Sequence, residues 1–490
     1  MCELSGQVNG LVTSVPPGRQ DPTQHPDHPT QSLLRDPRRL KLFKGAFSAA
    51  FDRNVVVDAW GQSIRLRLSE DLKQDAFATE SADGLPPPEL MQRLETLPLI
   101  ETQSDGVKSF AGILLTLLTV PYSLILLDEP EAFLHPPQAR LLGRYLGTLR
   151  QEGQLFVATH SLDVLLGLLS TVGARVQVVR LTRTSDESRA QVLDPDRLRS
   201  LWKDPLLRFS RAFDGLFHEA VVVCEGDTDS QFYSAVAVWL AEHEQNPPVE
   251  DDVSEKTAGQ REGESEEEPP SEESKLDIDP GMELSHFTAN PFDVMFTYAG
   301  SKQRMAQVAQ ALRSVRVPVR IVADFDVLND QQVLKRLIES LGAEYSDEIE
   351  SLRTVIDSGL RGSDRKLMKS DFVKELTILL EDVQEITPDE AKRIRPLLES
   401  HRGWARARTR GEAEVPSGDP SQSLKDLLGL LAECGLFVVR SGAVESFVRE
   451  VGNTGPKWVV EVIDSGYVEQ ATDAQDFVRA ILEEIGTRRG

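Results

Sequence analysis

Three short, largely apolar runs in this chain each stop at carboxylates: Leu124 to Leu127 before Asp128 and Glu129, Ala220 to Cys224 before Glu225, and Val319 to Ala323 before Asp324 and Asp326. A strand with one wet face alternates apolar and polar residues. Leu124 to Leu127 does not alternate, and it reads as a central strand of a parallel sheet with both faces covered. Leu155 to Ala158 reads as another buried strand. Helical patterns over Pro137–Arg150, Ser161–Leu169, Ser230–Glu242 and Ser301–Val315 separate such runs, and strand alternating with helix predicts an α/β fold. Acids at the carboxyl ends of parallel strands lie where open α/β sheets bind ligands.

At 490 residues the chain has room for about three folded units. The net charge of −25 argues against a protein held on DNA or a membrane by its overall field, so nucleic-acid binding needs local basic patches or bound cations. Cys2, Cys224 and Cys434 are odd in number and lack metal-ligand spacing, which excludes a disulfide framework and a zinc ribbon and predicts a cytoplasmic setting. The uncharged stretch Phe110 to Leu127 contains Gly112, Pro121 and Ser123 and runs into Asp128. It reads as helix, turn and strand, and no membrane segment is expected.

Residues 1–39 read as a disordered or misassigned start, rich in Pro, Gln and Asp. A short helix over Leu40–Phe51 and strands over Asn54–Asp58 and Ser63–Leu68 follow; Pro86–Pro88 break the chain before a helix near Glu89, and Ser109–Thr119 is apolar enough for a buried helix. Between Glu250 and Asp279 thirteen acids face three bases with almost nothing apolar. Such a segment cannot offset its own ordering entropy, which predicts a disordered insertion over 245–285. Strands Val294–Tyr298 and Leu436–Arg440, a polar linker near Glu412–Ser421 and a helix over Val444–Val451 complete the pattern, mostly helical beyond 336.

Asp128 at a strand end is placed to hold the Mg²⁺ of a nucleotide and Glu129 to polarise an attacking water, because phosphoryl transfer depends on positioning and charge neutralisation. His160 follows the neighbouring strand and faces the same end. Ser104-Asp105-Gly106 precedes a helix, whose first amides favour an anion. Singly, an apolar run before Asp-Glu can be a capped strand end, and a lone Thr-His-Ser is more often a strand terminus. In order, Ser104-Asp105-Gly106, the run Leu127 to Pro136 and Ala158 to Ser161 resemble the ABC-type ATPase heads of the RecF, SMC and OLD group. The resemblance implies a Walker B pair at Asp128 and Glu129, a D-loop region over Phe133–Pro136, a switch histidine at His160 and a divergent signature motif over Ser104–Gly106. No G-x-x-x-x-G-K-S/T loop occurs in the chain. The resemblance therefore implies that the lobe carrying that loop is missing through truncation, or that a partner supplies it, and ATP hydrolysis by this chain alone is doubtful.

Glu225-Gly226-x-x-Asp229 directly follows the strand Ala220–Cys224, with the glycine allowing a sharp turn and Asp229 one helical turn further on. Asp324 and Asp326 follow Val319–Ala323, and as i and i+2 they are expected on one strand face. Four acids at converging strand ends repel one another unless a cation lies between them. Hard oxygen ligands select Mg²⁺ or Mn²⁺, and a pair of such ions clamps the attacking and leaving oxygens of a phosphodiester displacement. Alone, Glu225 is equally a helix-start carboxylate. The ordered set, with Gly300-Ser301-Lys302 after the middle strand, resembles the TOPRIM domain of topoisomerases, primases and OLD-family nucleases. No catalytic-tyrosine domain or primase zinc element accompanies it. An ATPase head followed by TOPRIM is the OLD arrangement, shared with Gabija-type antiphage nucleases. In that family a late Gly-x-x-Glu element completes the site, matched here by Gly442 and Glu445. Ser441 stands where some relatives carry lysine, leaving Lys457 or Lys302 to supply positive charge.

The resemblance covers the chain from about Leu40 to its end. It implies a partial ABC/AAA-type ATPase domain over 40–205, a Rossmann-like TOPRIM domain over 215–335, and a helical region over 336–490 that completes a nuclease site. The implied activity is an ATP-regulated, Mg²⁺- or Mn²⁺-dependent DNA endonuclease in phage defence or DNA repair, working as a homodimer or larger homo-oligomer. Its catalytic residues are Glu225, Asp229, Asp324, Asp326, Glu445 and Lys457; the five acids and Asp128 hold metal, and Ser104, Asp105, Gly106, Asp128, Glu129 and His160 meet ATP. The alternatives are a non-cleaving ATPase-type DNA sensor and an inactive fragment of a larger nuclease. The basic series Lys392–Arg395 and His401–Arg410, with Trp404 interleaved, reads as a phosphate track with a stacking ring or as a solvated helical face. Arg313, Arg316 and Arg320 read as scaffold, and His135 as a turn residue.

Overall fold

The computed structural model of the chain describes residues 28–59, 63–70, 88–120, 122–149, 153–172, 175–184, 187–204, 211–244, 291–364, 368–381 and 401–487, together with 2–3, 12 and 394. The expected acidic insertion, the basic side chains of the Lys392–Arg395 series and most of the segment before 28 lie outside the described residues. The chain divides into two compact units, Met1–Leu181 with Ala190–Phe217 and Thr182–Arg189 with His218–Gly490. Among the described residues no helix is long and apolar enough to cross a membrane.

The first unit contains β1 (Cys2–Glu3), α1 (Pro29–Arg35), α2 (Pro37–Phe51), the antiparallel pair β2 (Asn54–Asp58) and β3 (Arg65–Ser69), α3 (Pro88–Thr96), α4 (Asp105–Thr119), β4 (Leu124–Asp128), α5 (Pro136–Leu149), β5 (Gln154–Ala158) and α6 (Leu162–Val172). Helix α2 begins ahead of the expected Leu40 because the Asp36 carboxylate accepts from the Arg38 and Arg39 amides, at 2.9 and 3.2 Å, and starts the helix at Pro37. Strands β1, β4 and β5 form a parallel sheet in the order β1-β4-β5, with Asp128 opposite Ala158. Its core joins Phe43 and Phe47 of α2, Phe110 and Leu114 of α4, Ile125 of β4 and Leu142 of α5. Helices α5 and α6 touch backbone to backbone: a Cβ on Gly143 would lie 2.3 Å from the Val164 carbonyl oxygen, and one on Gly167 2.2 Å from that of Arg140. Only glycine fits at such a crossing.

The expectation of strands buried on both faces is corrected here. In β5 only Leu155 and Val157 pack on the core, and Phe156 is 58% exposed. Leu124 and Leu126 of β4 are half-buried and Asp128 is exposed. Among the described residues Ile125, Leu127, Leu155 and Val157 join this core while Leu124, Leu126 and Phe156 do not, so apolar residues on the second face imitate a doubly covered strand in the sequence.

Further along the chain come β6 (Val179–Thr184), β7 (Glu187–Val192) and α7 (Pro195–Lys203). The second unit is built on β8 (Ala220–Cys224), α8 (Asp227–Glu244), β9 (Val294–Tyr298), α9 (Lys302–Ser314), β10 (Val319–Ala323), α10 (Gln331–Ser340), α11 (Asp347–Gly362), α12 (Lys369–Leu379), α13 (Gly403–Arg410), α14 (Asp419–Glu433), β11 (Leu436–Val438), α15 (Pro456–Asp464), α16 (Tyr467–Gln470) and α17 (Thr472–Thr487). Strands β8 to β11 form an all-parallel sheet in the order β11-β10-β8-β9. Here the apolar runs are covered on both sides: every residue of β8, β10 and β11 is buried. Phe232 and Tyr233 of α8, Trp458 of α15 and Ile481 of α17 pack with Val222 and Cys224 from one face, and α9 lies against β8 and β10. Because every connection is parallel, all four strands end on the same edge of the sheet.

Two expected elements in this unit are corrected. Glu412–Ser421 is no loose linker: a 3-10 turn over Gly411–Glu414 receives Arg406, whose Nε donates to Glu414 Oε2 at 2.8 Å, and α14 starts at Asp419. Val444–Val451 is no helix; only Val444–Phe447 turn, as 3-10, before Val448 enters the core and its carbonyl accepts from Trp458 Nε1 at 3.2 Å. Arg313 and Arg320 are scaffold, donating to the Ser340 carbonyl at 3.0 Å and pairing with Glu484, respectively.

Candidate functional sites at the strand exits

In the first unit the segments singled out from sequence meet at the ends of β4 and β5. The Glu129 amide donates to the Ala158 carbonyl at 2.9 Å, which ties the two exits together. Glu129 takes a left-handed φ of 44°, an unfavourable conformation for a non-glycine residue. His160 Nδ1 lies 3.4 Å from Glu129 Oε1 and 3.8 Å from Glu131 Oε1, with 74% of its side chain exposed. Ser104 caps α4 without a side-chain bond, and Asp105 pairs with Lys108 at 2.7 Å. Gly106 has a packing reason: a Cβ there would sit 2.3 Å from the Phe133 carbonyl oxygen, so its helix end is pressed onto the turn after β4. Phe133, at the crest of that turn, is 79% exposed with φ 65°. His135 is exposed and stands at the start of α5, its carbonyl accepting from the Gln138 and Ala139 amides, both at 2.9 Å.

Sequence reasoning missed Glu131 and Thr159. Glu131 is 8% exposed; its Oε1 accepts from the Thr159 hydroxyl at 2.6 Å, while Oε2 is buried without a hydrogen-bond partner. The Thr159 oxygen in turn accepts from the Ser161 amide at 2.9 Å. A buried acid thus braces the turn that carries His160. Both residues stand inside the motif runs, but nothing in their spacing separates them from exposed neighbours.

In the second unit, acids leave three of the four strand ends and a lysine leaves the fourth. Ladder bonds extend past β8 and β9, from the Ala299 amide to the Cys224 carbonyl and from the Gly300 amide to the Glu225 carbonyl, at 3.0 and 2.9 Å. They fix Glu225 beside the start of α9. The Gly226 amide donates to Asp229 Oδ2 at 2.9 Å and holds that carboxylate back over the turn. Asp324 and Asp326 do converge with these acids, but not through the strand pleat: β10 ends at Ala323, Asp324 precedes a 3-10 turn over Phe325–Asn329, and Asp326 lies within it.

Burial pushes the Asp324 carboxyl up to about 8, with repulsion from Asp229, Glu225 and Asp326 adding to it and Lys302 opposing. Burial also raises Asp229 to about 6; the Gly226 amide opposes this, and Glu225 and Glu445 reinforce it. Glu225 is raised, first by burial and then by Asp326, against Lys302 and Arg408. The four acids therefore lie within electrostatic reach of one another, as Glu445 does of Asp229. Cations hold the acids in place: Lys302 pairs with Asp326 Oδ1 and lies 3.6 Å from Glu225 Oε2, and Arg408 Nε lies 3.6 Å from Asp326 Oδ2. Lys457, at the start of α15, is exposed. Lys302, rather than Lys457, is the lysine that reaches the acids.

Glu445 arrives by a tightly packed route. Gly442, with φ 124°, passes so close to α13 that a Cβ would lie 2.8 Å from the Arg408 carbonyl oxygen, and its own carbonyl accepts from the Phe325 amide at 2.8 Å. Glu445 Oε1 then accepts from the Gly455 amide at 3.2 Å. Ser441 bonds Ser446, hydroxyl to hydroxyl, at 2.5 Å. Trp404 is not a stacking platform: it is 9% exposed, and its Nε1 donates to Asp357 at 2.8 Å.

Among the described residues no three His, Cys, Asp or Glu side chains stand close enough to hold a metal ion as they are. The donor set nevertheless fits a hard divalent cation. All donors are carboxylate oxygens, they repel one another, and Glu225 Oε2 is buried without a hydrogen-bond partner.

Comparison with known proteins places one family match within the first unit. Residues 25–167 match the family model described as "AAA domain, putative AbiEii toxin, Type IV TA system". The chain is 27% identical over 132 residues to the Old nuclease of Escherichia phage P2, a match covering 26% of this chain and 22% of that protein. It thus spans only about a fifth of the nuclease's length. A solved structure from work on ATP-driven dimerization and DNA-stimulated activation of SMC ATPases aligns with 36% of this chain and 95% of its own, at 10% identity and a TM-score of 0.24, a likeness too slight to argue from. The chain is therefore similar to an AAA domain family over 25–167 and, over about a quarter of its length, distantly similar to the Old nuclease.

Proposed function

We propose that the second unit is a divalent-metal-dependent endonuclease of TOPRIM type acting on DNA, and that the first is an ABC-type ATPase part that regulates it, as in OLD-like enzymes. The observation that carries this reading is the placement of buried Asp324 and Asp229 with Glu225 and Asp326 at neighbouring strand exits, where Lys302 lies against both Glu225 and Asp326. In this reading the TOPRIM domain lies within 215–335, and 336–490 contributes Arg408 and Glu445.

Glu225, Asp229, Asp324, Asp326 and Glu445 would hold Mg²⁺ or Mn²⁺, which when bound activates water and neutralises charge on the phosphodiester. The protein's own contribution is positional. The Gly226 amide fixes Asp229, the Gly455 amide fixes Glu445, and Asp324 gives up a proton before it serves as a ligand. Lys302, beside both Glu225 and Asp326, is placed to offset negative charge at the reacting phosphate in place of Lys457. In the first unit, Asp128 and Glu129 would serve nucleotide-bound Mg²⁺ and the attacking water, with His160 facing the terminal phosphate and Ser104–Gly106 presenting amides. Exposure of Phe133 and His160 supports a second surface closing over them, from a homodimer or a partner lobe.

Supercoiled plasmid incubated with Mg²⁺ or Mn²⁺ tests the reading. The wild type nicks it, and Asp324→Asn slows nicking at least about a hundredfold. Equal rates in the two proteins overturn the assignment. A second reading, a non-cleaving DNA sensor, is favoured by one observation: Lys302 already bridges Glu225 and Asp326. It predicts DNA binding with no nicking at any concentration of either metal.

A further inference from the structure

The two cations beside the acid cluster are built differently. Lys302 is enclosed, with 19% of its side chain exposed, and its ammonium is shared between Glu225 and Asp326. Arg408 leaves 72% of its side chain exposed, and its one charged contact, Nε to Asp326 Oδ2 at 3.6 Å, is too long for a hydrogen bond. Its guanidinium, with five donors in a planar fork, therefore faces solvent beside the carboxylates. The backbone beneath it is fixed: the Arg408 carbonyl is packed against Gly442, and α13 is pinned by Arg406 to Glu414 at 2.8 Å and to the Ser363 carbonyl at 3.0 Å, and by Trp404 to Asp357 at 2.8 Å. Of its neighbours on α13, Arg406 is used inward and Arg410 pairs with Glu414 at 3.3 Å. Arg408 alone among these three combines an anchored backbone, an exposed head and proximity to the acids.

We propose that Arg408 grips a backbone phosphate of the nucleic acid at the mouth of the acid cluster, exchanging its long contact with Asp326 for a forked contact with two phosphate oxygens. This rests on the nuclease reading for the identity of the ligand. A planar fork suits phosphate, whereas an enclosed ammonium suits an internal counter-charge. Beside five acids, a solvent-facing cation also lowers the local repulsion that an approaching phosphate meets.

The test is binding of fluorescein-labelled duplex and single-stranded oligonucleotides, followed by anisotropy over a salt series, in EDTA and again in Ca²⁺. The logarithm of the binding constant falls with the logarithm of salt in proportion to the phosphates neutralised. Arg408→Ala should reduce the magnitude of that slope by about 0.9 on duplex or about 0.7 on single strands, and the form that the wild type binds more tightly is the preferred one. Arg408→Lys should retain the slope while binding more weakly. Arg408→Gln provides a second charge-free variant, and an unchanged thermal midpoint in either one shows that the fold is intact. An unaltered slope in both charge-free variants overturns the proposal. Its fate is separable from that of the nuclease reading: a slope loss without any nicking by the wild type keeps the phosphate contact and removes the nuclease, and nicking lost in Asp324→Asn with no slope change in Arg408→Ala does the reverse.

Discussion

Both units end parallel strands in acids, yet the two ends are in opposite physical states. In the first unit Asp128, Glu129 and His160 stand in solvent at the end of strands whose Leu124, Leu126 and Phe156 are not buried among the described residues. In the second, Asp324 and Asp229 are buried deeply enough to resist ionisation, and the chain supplies its own cations, Lys302 and Arg408. The difference teaches that an apolar strand followed by carboxylates specifies a ligand edge but not its completeness. Strands buried on both faces deliver their acids into a low-dielectric recess where they act on one another; the exits of β4 and β5 leave Asp128, Glu129 and His160 open to another surface.

The largest effect that bears on this contrast is steric. The exit of β11 is locked against α13, where Gly411, at φ 56°, would place a Cβ 1.7 Å from the Arg440 carbonyl oxygen, while at Gly106 in the first unit, a helical position, a Cβ would lie 2.3 Å from the Phe133 carbonyl oxygen. Gly411→Ala should destabilise the second unit by roughly 3 kcal/mol and Gly106→Ala the first by about half of that, because Gly411 combines the closer approach with a left-handed φ. Thermal unfolding of each variant against wild type measures both, and equal losses would erase the difference in rigidity.

A smaller effect follows from charge. Asp324 at about 8 and Asp229 at about 6 lie above the ordinary aspartate value of about 3.9. Between pH 4 and 8 the folded chain keeps protons that the unfolded chain has released, so the metal-free protein loses stability as pH rises through that window. Asp324→Asn should flatten the profile, leaving the variant more stable than wild type at pH 8 by about 2 kcal/mol and similar to it below pH 4. Parallel pH–stability profiles would show that the recess is wetter than its geometry indicates.

How much of this was legible beforehand differs between the units for the same reason. The bounds of β8, β9 and β10 were readable because contiguous apolar residues there are buried on both faces. The same pattern misled in β4 and β5, where Leu124, Leu126 and Phe156 are apolar without being enclosed. Glu225, Asp229, Asp324 and Asp326 were identifiable as a set, but the cause assigned to the last two, strand alternation, was mistaken; the 3-10 turn after Ala323 brings them in. Lys302 was visible only as an alternative to Lys457, since pairing across 24 residues with Asp326 leaves no periodic trace. The basic series around Trp404 concealed three roles, because burial of Trp404, inward use of Arg406 and exposure of Arg408 depend on α11, Glu414 and Gly442, all distant in sequence or unremarkable alone.

The smallest expected effect concerns the brace in the first unit. Thr159→Val keeps shape but takes the hydroxyl from Glu131 Oε1, leaving a buried carboxylate whose Oε2 already lacks a partner. A loss of about 1–2 kcal/mol is expected in thermal or urea unfolding of that unit. No loss would mean that water reaches Glu131 and that this exit is solvated throughout.

The central claim, that acids from β8 and β10 share one cation, is tested most directly by titrating Mn²⁺ into wild type, Glu225→Gln and Asp324→Asn and following binding by calorimetry, with no nucleic acid present. The account predicts binding in the wild type that strengthens from pH 6 to pH 8 as Asp229 and Asp324 release their protons, and a weakening of at least about tenfold in each variant. Mn²⁺ affinity unchanged in either variant would contradict it.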